Sequence, residues 1–229
     1  MSVASLETFS PVSMTGVFVR AGSRYEPAGK QGVTHLWRTC AYQSSEDRSA
    51  FRISREIEQL GGSLTSTTTR EHLIYCVSHM RNNLNTALAT LGAVVGNKDF
   101  RRWEVEDQKD RMYMDIALSQ TQPNSVVMEE LHKSAFRKGL CNSIYSPSFN
   151  IPKWNYIDLN SFVKDFFVGN RMTLVGIGVN HDELVKEATA SFHTIPSGLD
   201  FTTEPAEYVG GGEVRIASDS SVTHAAIAC

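Results

Sequence analysis

The chain has 229 residues (25.4 kDa), with 41% hydrophobic and 21% charged side chains. That globular composition excludes a disordered polypeptide and allows one large domain or two small ones with a substantial core. A net charge of −3 and a pI near 6.2 exclude a basic field for nucleic acid.

The first elements read as strands, Val3–Phe9 and Thr15–Ala21, paired across a turn at Pro11. Gly22–Gly29 is a loop by its Gly and Pro content, and Thr34 is placed to cap a helix running to Gln43. A second helix spans Arg48–Leu60, with Phe51, Ile53, Ile57 and Leu60 as its buried face and Gly61-Gly62 as its stop. Ser63–Arg70 and Leu73–Met80 form a strand pair around Arg70-Glu71.

Three helices follow: Leu84–Val95, Trp103–Leu118, and Val126–Phe136 after a helix-starting Pro123. The stretch Leu88–Val95, interrupted by Thr90 and Gly92, is the most apolar run. It falls far short of the roughly 20 residues that cross a bilayer, so any membrane association is expected through other subunits.

Arg137–Pro152, rich in Ser, Asn and Pro, is expected as a long surface loop. A helix at Asp158–Phe167 leads into a strand, Met172–Val179, and a further helix spans Asp182–Phe192. Phe162, Phe166 and Phe167 read as core, or as a face covered by a further part of the protein. Gly210–Gly212 precedes final strands that run to the last residues, Ala225–Cys229. A chain stopping inside a strand, with no Arg-rich leader, reads as a piece of a longer protein. Cys40, Cys76, Cys141 and Cys229 form no C-x-x-C pair and read as reduced, half-buried thiols. Segregated strand pairs and helices give an α+β fold, an antiparallel-rich mixed sheet covered by helices on one side.

His35, Arg38 and Thr39 share one face of a helix. Their spacing is that of the inverted zinc motif H-x-x-E-H, in which two histidines hold the metal and the glutamate is the base. Gly22-Ser-Arg-Tyr-Glu26 followed by Gly32-Val-Thr-His35 resembles the opening of the pitrilysin-type metallopeptidases, which include mitochondrial processing peptidase. Gly61-Gly62-Ser-Leu-Thr-Ser-Thr-Thr-Thr-Arg70-Glu71 with Tyr75 is similar to that family's strand pair, and Pro123, Val126-Val127 and Leu131-His132 to a later helix. The likeness keeps its order over nearly the whole chain. It implies one pitrilysin-type lobe over residues 1–229, the N-terminal one of two.

The resemblance places His35 on the first zinc histidine, Arg38 on the catalytic glutamate, Thr39 on the second histidine, Asp115 on the distal glutamate ligand and Gln108 on a supporting acid. A guanidinium cannot act as a base, and a hydroxyl is a poor substitute for imidazole at zinc. The implied site is therefore degenerate, with no metal and no cofactor, and Arg38 is expected to pair with Asp115 within 4 Å.

The strings Phe100-Arg-Arg-Trp-Glu-Val105, His35-Leu-Trp-Arg38 and Met172-Thr-Leu-Val-Gly-Ile-Gly-Val179 are similar to the family's non-catalytic core subunits of mitochondrial ubiquinol–cytochrome c reductase. The resemblance implies a structural subunit on the matrix side of the inner membrane. Its partners would be core protein 1 and other subunits, with a presequence peptide as a further ligand. The rival is a processing-peptidase subunit, either peptide-binding or a zinc endopeptidase. Gly176-x-Gly178 lacks the third glycine of a dinucleotide fingerprint, and His72, His79, His132 and His193 are scattered. Arg101-Arg102 and Lys109-Asp110-Arg111 read as a solvated helix face.

Overall fold

The computed structural model describes residues 1–96, 100–198, 202–210, 212–217 and 222–228. Among these residues five strands, β1 (Ser2–Leu6), β2 (Val12–Val19), β3 (Ser63–Thr68), β4 (Leu73–Met80) and β5 (Met172–Ile177), form one sheet in the order β1-β5-β2-β4-β3. All neighbours are antiparallel except β1 and β5, which run parallel. Among the described residues seven helices accompany them: α1 (Val33–Thr39), α2 (Ala50–Gln59), α3 (Leu84–Val95), α4 (Arg102–Thr121), α5 (Pro123–Ala135), α6 (Tyr156–Phe166) and α7 (His181–Ser191). The fold is α+β, as the strand and helix pattern implies. Among the described residues no helix is long and apolar enough to cross a membrane.

Alternation explains the sheet. Val17 and Val19 of β2, Leu73, Tyr75 and Val77 of β4, and Met172 and Leu174 of β5 are all buried and face the helices. The opposite face carries exposed Leu6, Val12, Met14, Met80 and Ile177, so the helices cover one side only. The core continues through Leu36 and Trp37 of α1 and Leu88 and Leu91 of α3. The Trp37 ring meets Phe100 and Phe167 edge-on at centroid distances of 4.8 and 4.5 Å.

Five sequence expectations need correction. The opening strands do not pair with each other, because β5 lies between them. Met-Thr-Leu-Val-Gly-Ile can pack on either face and suits a central position, whereas β1 turns only Val3 toward the core. Phe51 is exposed, since two residues of helix carry it about 200° from Ile53, while Ile53, Ile57 and Leu60 are buried. Thr34 does not cap α1: the N-cap is Gly32 at φ +98°. The stretch 137–152 is not simply surface, since Ser146, Asn150 and Ile151 are buried. The final strands are absent among the described residues after α7, where one isolated bridge joins Phe136 to Tyr208. Gly211 and Cys229 lie outside the described residues.

Other expectations match the fold with ends shifted by a few residues. Pro123 starts α5, and Ser49, Asn155 and Asn180 cap α2, α6 and α7 with side-chain oxygens. Phe162 and Phe167 are core, with Phe166 half-buried and stacked on Phe162. Among the described residues Cys40, Cys76 and Cys141 form no disulfide; Cys76 and Cys141 are half-buried as expected, whereas Cys40 is fully buried in the core. Gly176 is a packing glycine, since a Cβ there would meet Val179 and Leu184 within 2.8 Å. At the tip of the β3–β4 hairpin, Glu71 pairs with Arg24 at 2.5 Å and Arg70 with Glu129 at 2.8 Å. These pairs tie the tip to the first loop and to α5.

Candidate functional site

The helix that carries His35 is held from its start by Glu26. This carboxylate accepts from the backbone N–H of Gly32 (2.9 Å) and Thr34 (3.0 Å) and from the Thr34 hydroxyl (2.5 Å). It takes the place of a local cap, satisfying amides that the helix itself leaves unpaired. Burial pushes Glu26 up to about 7, against the lowering effect of its three donors.

With α1 so anchored, His35 points inward and is fully buried. Across from it, α4 lays Val105, Gln108, Met112 and Asp115 along one stripe at three- and four-residue spacing. Asp115 Oδ2 lies 2.5 Å from Arg38 Nη2 and 3.3 Å from His35 Nε2. The Arg38–Asp115 separation thus falls well inside the 4 Å expected of an ion pair. A third wall comes from the 137–152 segment: Ser146 N–H donates to His35 Nδ1 at 3.2 Å. The edge of the Tyr145 ring lies against His35, with Arg38 5.8 Å from the same ring's centroid. Trp154 Nε1 donates to Ser146 Oγ at 3.3 Å, which braces that wall.

These contacts determine the state of the histidine. A backbone N–H can only donate, so Nδ1 must offer its lone pair to Ser146. The ring proton therefore sits on Nε2 and is donated to Asp115. Burial, and then the charge of Arg38, push His35 down to about 4, which keeps the ring neutral near pH 7. Both nitrogens are engaged.

Thr39 lies on the same helix but outside this network. It is buried, and its hydroxyl donates to the Leu36 carbonyl one turn back at 2.8 Å. Gln108 shares the α4 stripe, yet its Oε1 is buried without a hydrogen-bond partner. The structure thus joins His35, Arg38 and Asp115, and leaves Thr39 and Gln108 beside them.

Sequence reasoning missed Ser146 and Tyr145, which lie in a stretch rich in turn formers. Trp154 and Ile151 just beyond were the available signal, because large apolar residues at the end of such a loop imply that it folds back onto a core. Glu26 belongs to the quoted opening motif, but its capping role needs the third dimension.

A family model for insulinase (peptidase family M16) matches residues 2–148, and one for the peptidase M16 inactive domain matches residues 153–229. The chain belongs to the M16 family. The mitochondrial cytochrome b-c1 complex subunit 2 of Homo sapiens is 39% identical over 224 residues, covering 98% of this chain and 49% of that protein. The subunit of the same name in Cryptococcus neoformans is 31% identical over 96% of this chain and 50% of its own length. The mitochondrial-processing peptidase subunit alpha of Solanum tuberosum is 31% identical over 100% of this chain and 45% of its own length. The chain spans about half the length of these curated relatives.

M16 peptidases work with a zinc ion, which needs three protein ligands and an open position. The donors here do not fit it. His35 has no free lone pair, the Thr39 hydroxyl is turned into its own helix, and Asp115 is held by a guanidinium. Among the described residues no group of three or more His, Cys, Asp or Glu side chains is placed to share a metal. Through these contacts His35, Arg38 and Asp115 hold α1, α4 and the 137–152 segment together.

Proposed function

We propose that this chain is the N-terminal lobe of a structural, non-catalytic subunit of mitochondrial ubiquinol–cytochrome c reductase, corresponding to core protein 2. In this reading residues 1–229 are a single pitrilysin-type lobe. The subunit packs with core protein 1 on the matrix side of the inner membrane and supports assembly of the complex, without carrying its redox chemistry. His35, Arg38, Thr39 and Asp115 are the positions of a dismantled zinc site, with Gln108 at the former supporting acid. The observation that carries the reading is the Arg38–Asp115 pair, which puts a permanent cation where a peptidase needs a general base beside its metal.

Outward-facing apolar side chains on α4 and α5, among them Trp103, Met114, Leu118 and Met128, support a role in subunit packing. The second reading is a peptide-binding α-type subunit of the processing peptidase, favoured by the potato relative's match along the entire chain.

Immunocapture of the full-length protein from detergent-solubilised mitochondria separates the two. The structural reading expects cytochrome b and a second M16 chain to co-purify at about one to one with it. Capture with a zinc-bearing M16 subunit, and without cytochrome b, would establish the processing-peptidase reading instead.

A further inference from the structure

Among the described residues strand β3 is the last in the sheet and pairs only with β4, so one row of its backbone groups faces away from the sheet. An open edge of this kind is a template for another strand. Apart from Leu64, its side chains are small hydroxyl residues: Ser63, Thr65, Ser66, Thr67 and Thr68.

Along the middle of this edge lies the Tyr42 phenol. Its hydroxyl donates to the Leu64 carbonyl at 3.1 Å and accepts from the Ser66 N–H at 3.1 Å. These two groups flank Thr65. In a parallel ladder, one residue of the added strand donates to the carbonyl before its partner and accepts from the amide after it. The single hydroxyl therefore occupies both bonds that a residue of an added parallel strand would make.

The phenol is held in place from behind. Tyr42 ends a 3-10 turn at Cys40–Tyr42 that directly continues α1, and Cys40 and Ala41 in that turn are buried. The Ser66 hydroxyl also donates to the Arg38 carbonyl at 3.3 Å, so the edge is fastened to the same helix that carries the ion pair.

We propose that Tyr42 is a latch that closes the β3 edge against addition of an extended polypeptide. The phenylalanine variant keeps the ring and its packing and removes only the hydroxyl, so it isolates the latch.

In the full-length protein, hydrogen exchange resolved to single amides should be about tenfold faster at Ser66 in Tyr42→Phe, with Thr65 and Thr67, whose amides face β4, unchanged. A fluorescein-labelled presequence peptide, followed by anisotropy, should bind Tyr42→Phe about tenfold more tightly than the native protein. That gain should vanish when Ser66→Pro is added, because proline removes the outward amide at a position where an edge strand tolerates it. Unchanged exchange at Ser66, faster exchange with no gain in peptide binding, or a gain that survives Ser66→Pro would each overturn the latch. None of these outcomes depends on which M16 assembly the protein joins.

Discussion

Replacing Asp115 with alanine should lower the free energy of unfolding by about 2–3 kcal/mol, read from urea unfolding midpoints. The carboxylate is the shared partner of two groups. One is the Arg38 guanidinium, whose side chain is 20% exposed, and the other is the Nε2–H of His35, whose side chain is 0% exposed. Alanine strands a charge and a donor together, which is the costly way to break a partly buried pair. Arg38→Leu should cost a similar amount by leaving Asp115 without its cation. Combining Arg38→Leu with Asp115→Leu should then cost at least about 1.5 kcal/mol less than the sum of the two single leucine changes. Additive losses would mean that the pair contributes nothing as a pair, and the network would reduce to packing.

The second large effect is a cancellation. His35 titrates at about 4 in the fold against 6.5 as an ordinary group. Its contribution to stability is complete above pH 6.5 and is lost as the pH falls toward 4. Glu26 runs the other way, raised from 4.5 to about 7 by burial. Its contribution is complete below pH 4.5 and is lost as the pH rises through 7. Between pH 4.5 and 6.5 the two slopes oppose each other. Glu26→Gln removes one of them. Relative to the native protein, its stability should therefore rise with pH by up to about 1.4 kcal/mol per unit across that window. At the acid end of the window the variant should be the less stable of the two, because an amide has one acceptor oxygen for three donors. Unfolding midpoints at three pH values in the window check this, and a constant difference between variant and native protein would show that Glu26 does not titrate there.

The layered α+β plan was legible because it rests on local periodicity. Leu73, Tyr75 and Val77 alternate inward as a half-buried strand must, and Ile53 and Ile57 repeat on one helix face. What escaped the sequence was non-local. Nothing in residues 1–21 shows that β5, some 150 positions on, would lie between the first two strands. Turn formers in 137–152 correctly mark irregular backbone. They say nothing of the burial of Ser146, which is imposed by His35 and Trp154.

The site was legible in part for the same reason. His35, Arg38 and Thr39 are neighbours on one turn of helix, and Asp115 follows from the family likeness. The distinction between Arg38, which reaches Asp115, and Thr39, which turns back to Leu36, needs side-chain directions. So does the Ser146 amide that fixes the tautomer of His35.

Zinc content of the purified full-length protein, measured by mass spectrometry beside cleavage of a presequence peptide with and without added zinc, tests the central claim most directly. A dismantled site binds well under about a tenth of an equivalent of zinc and leaves the peptide intact whether or not zinc is added. Near-stoichiometric zinc with chelator-sensitive cleavage would contradict it, since His35 would then have to give up its bond from Ser146 and Asp115 its bond to Arg38.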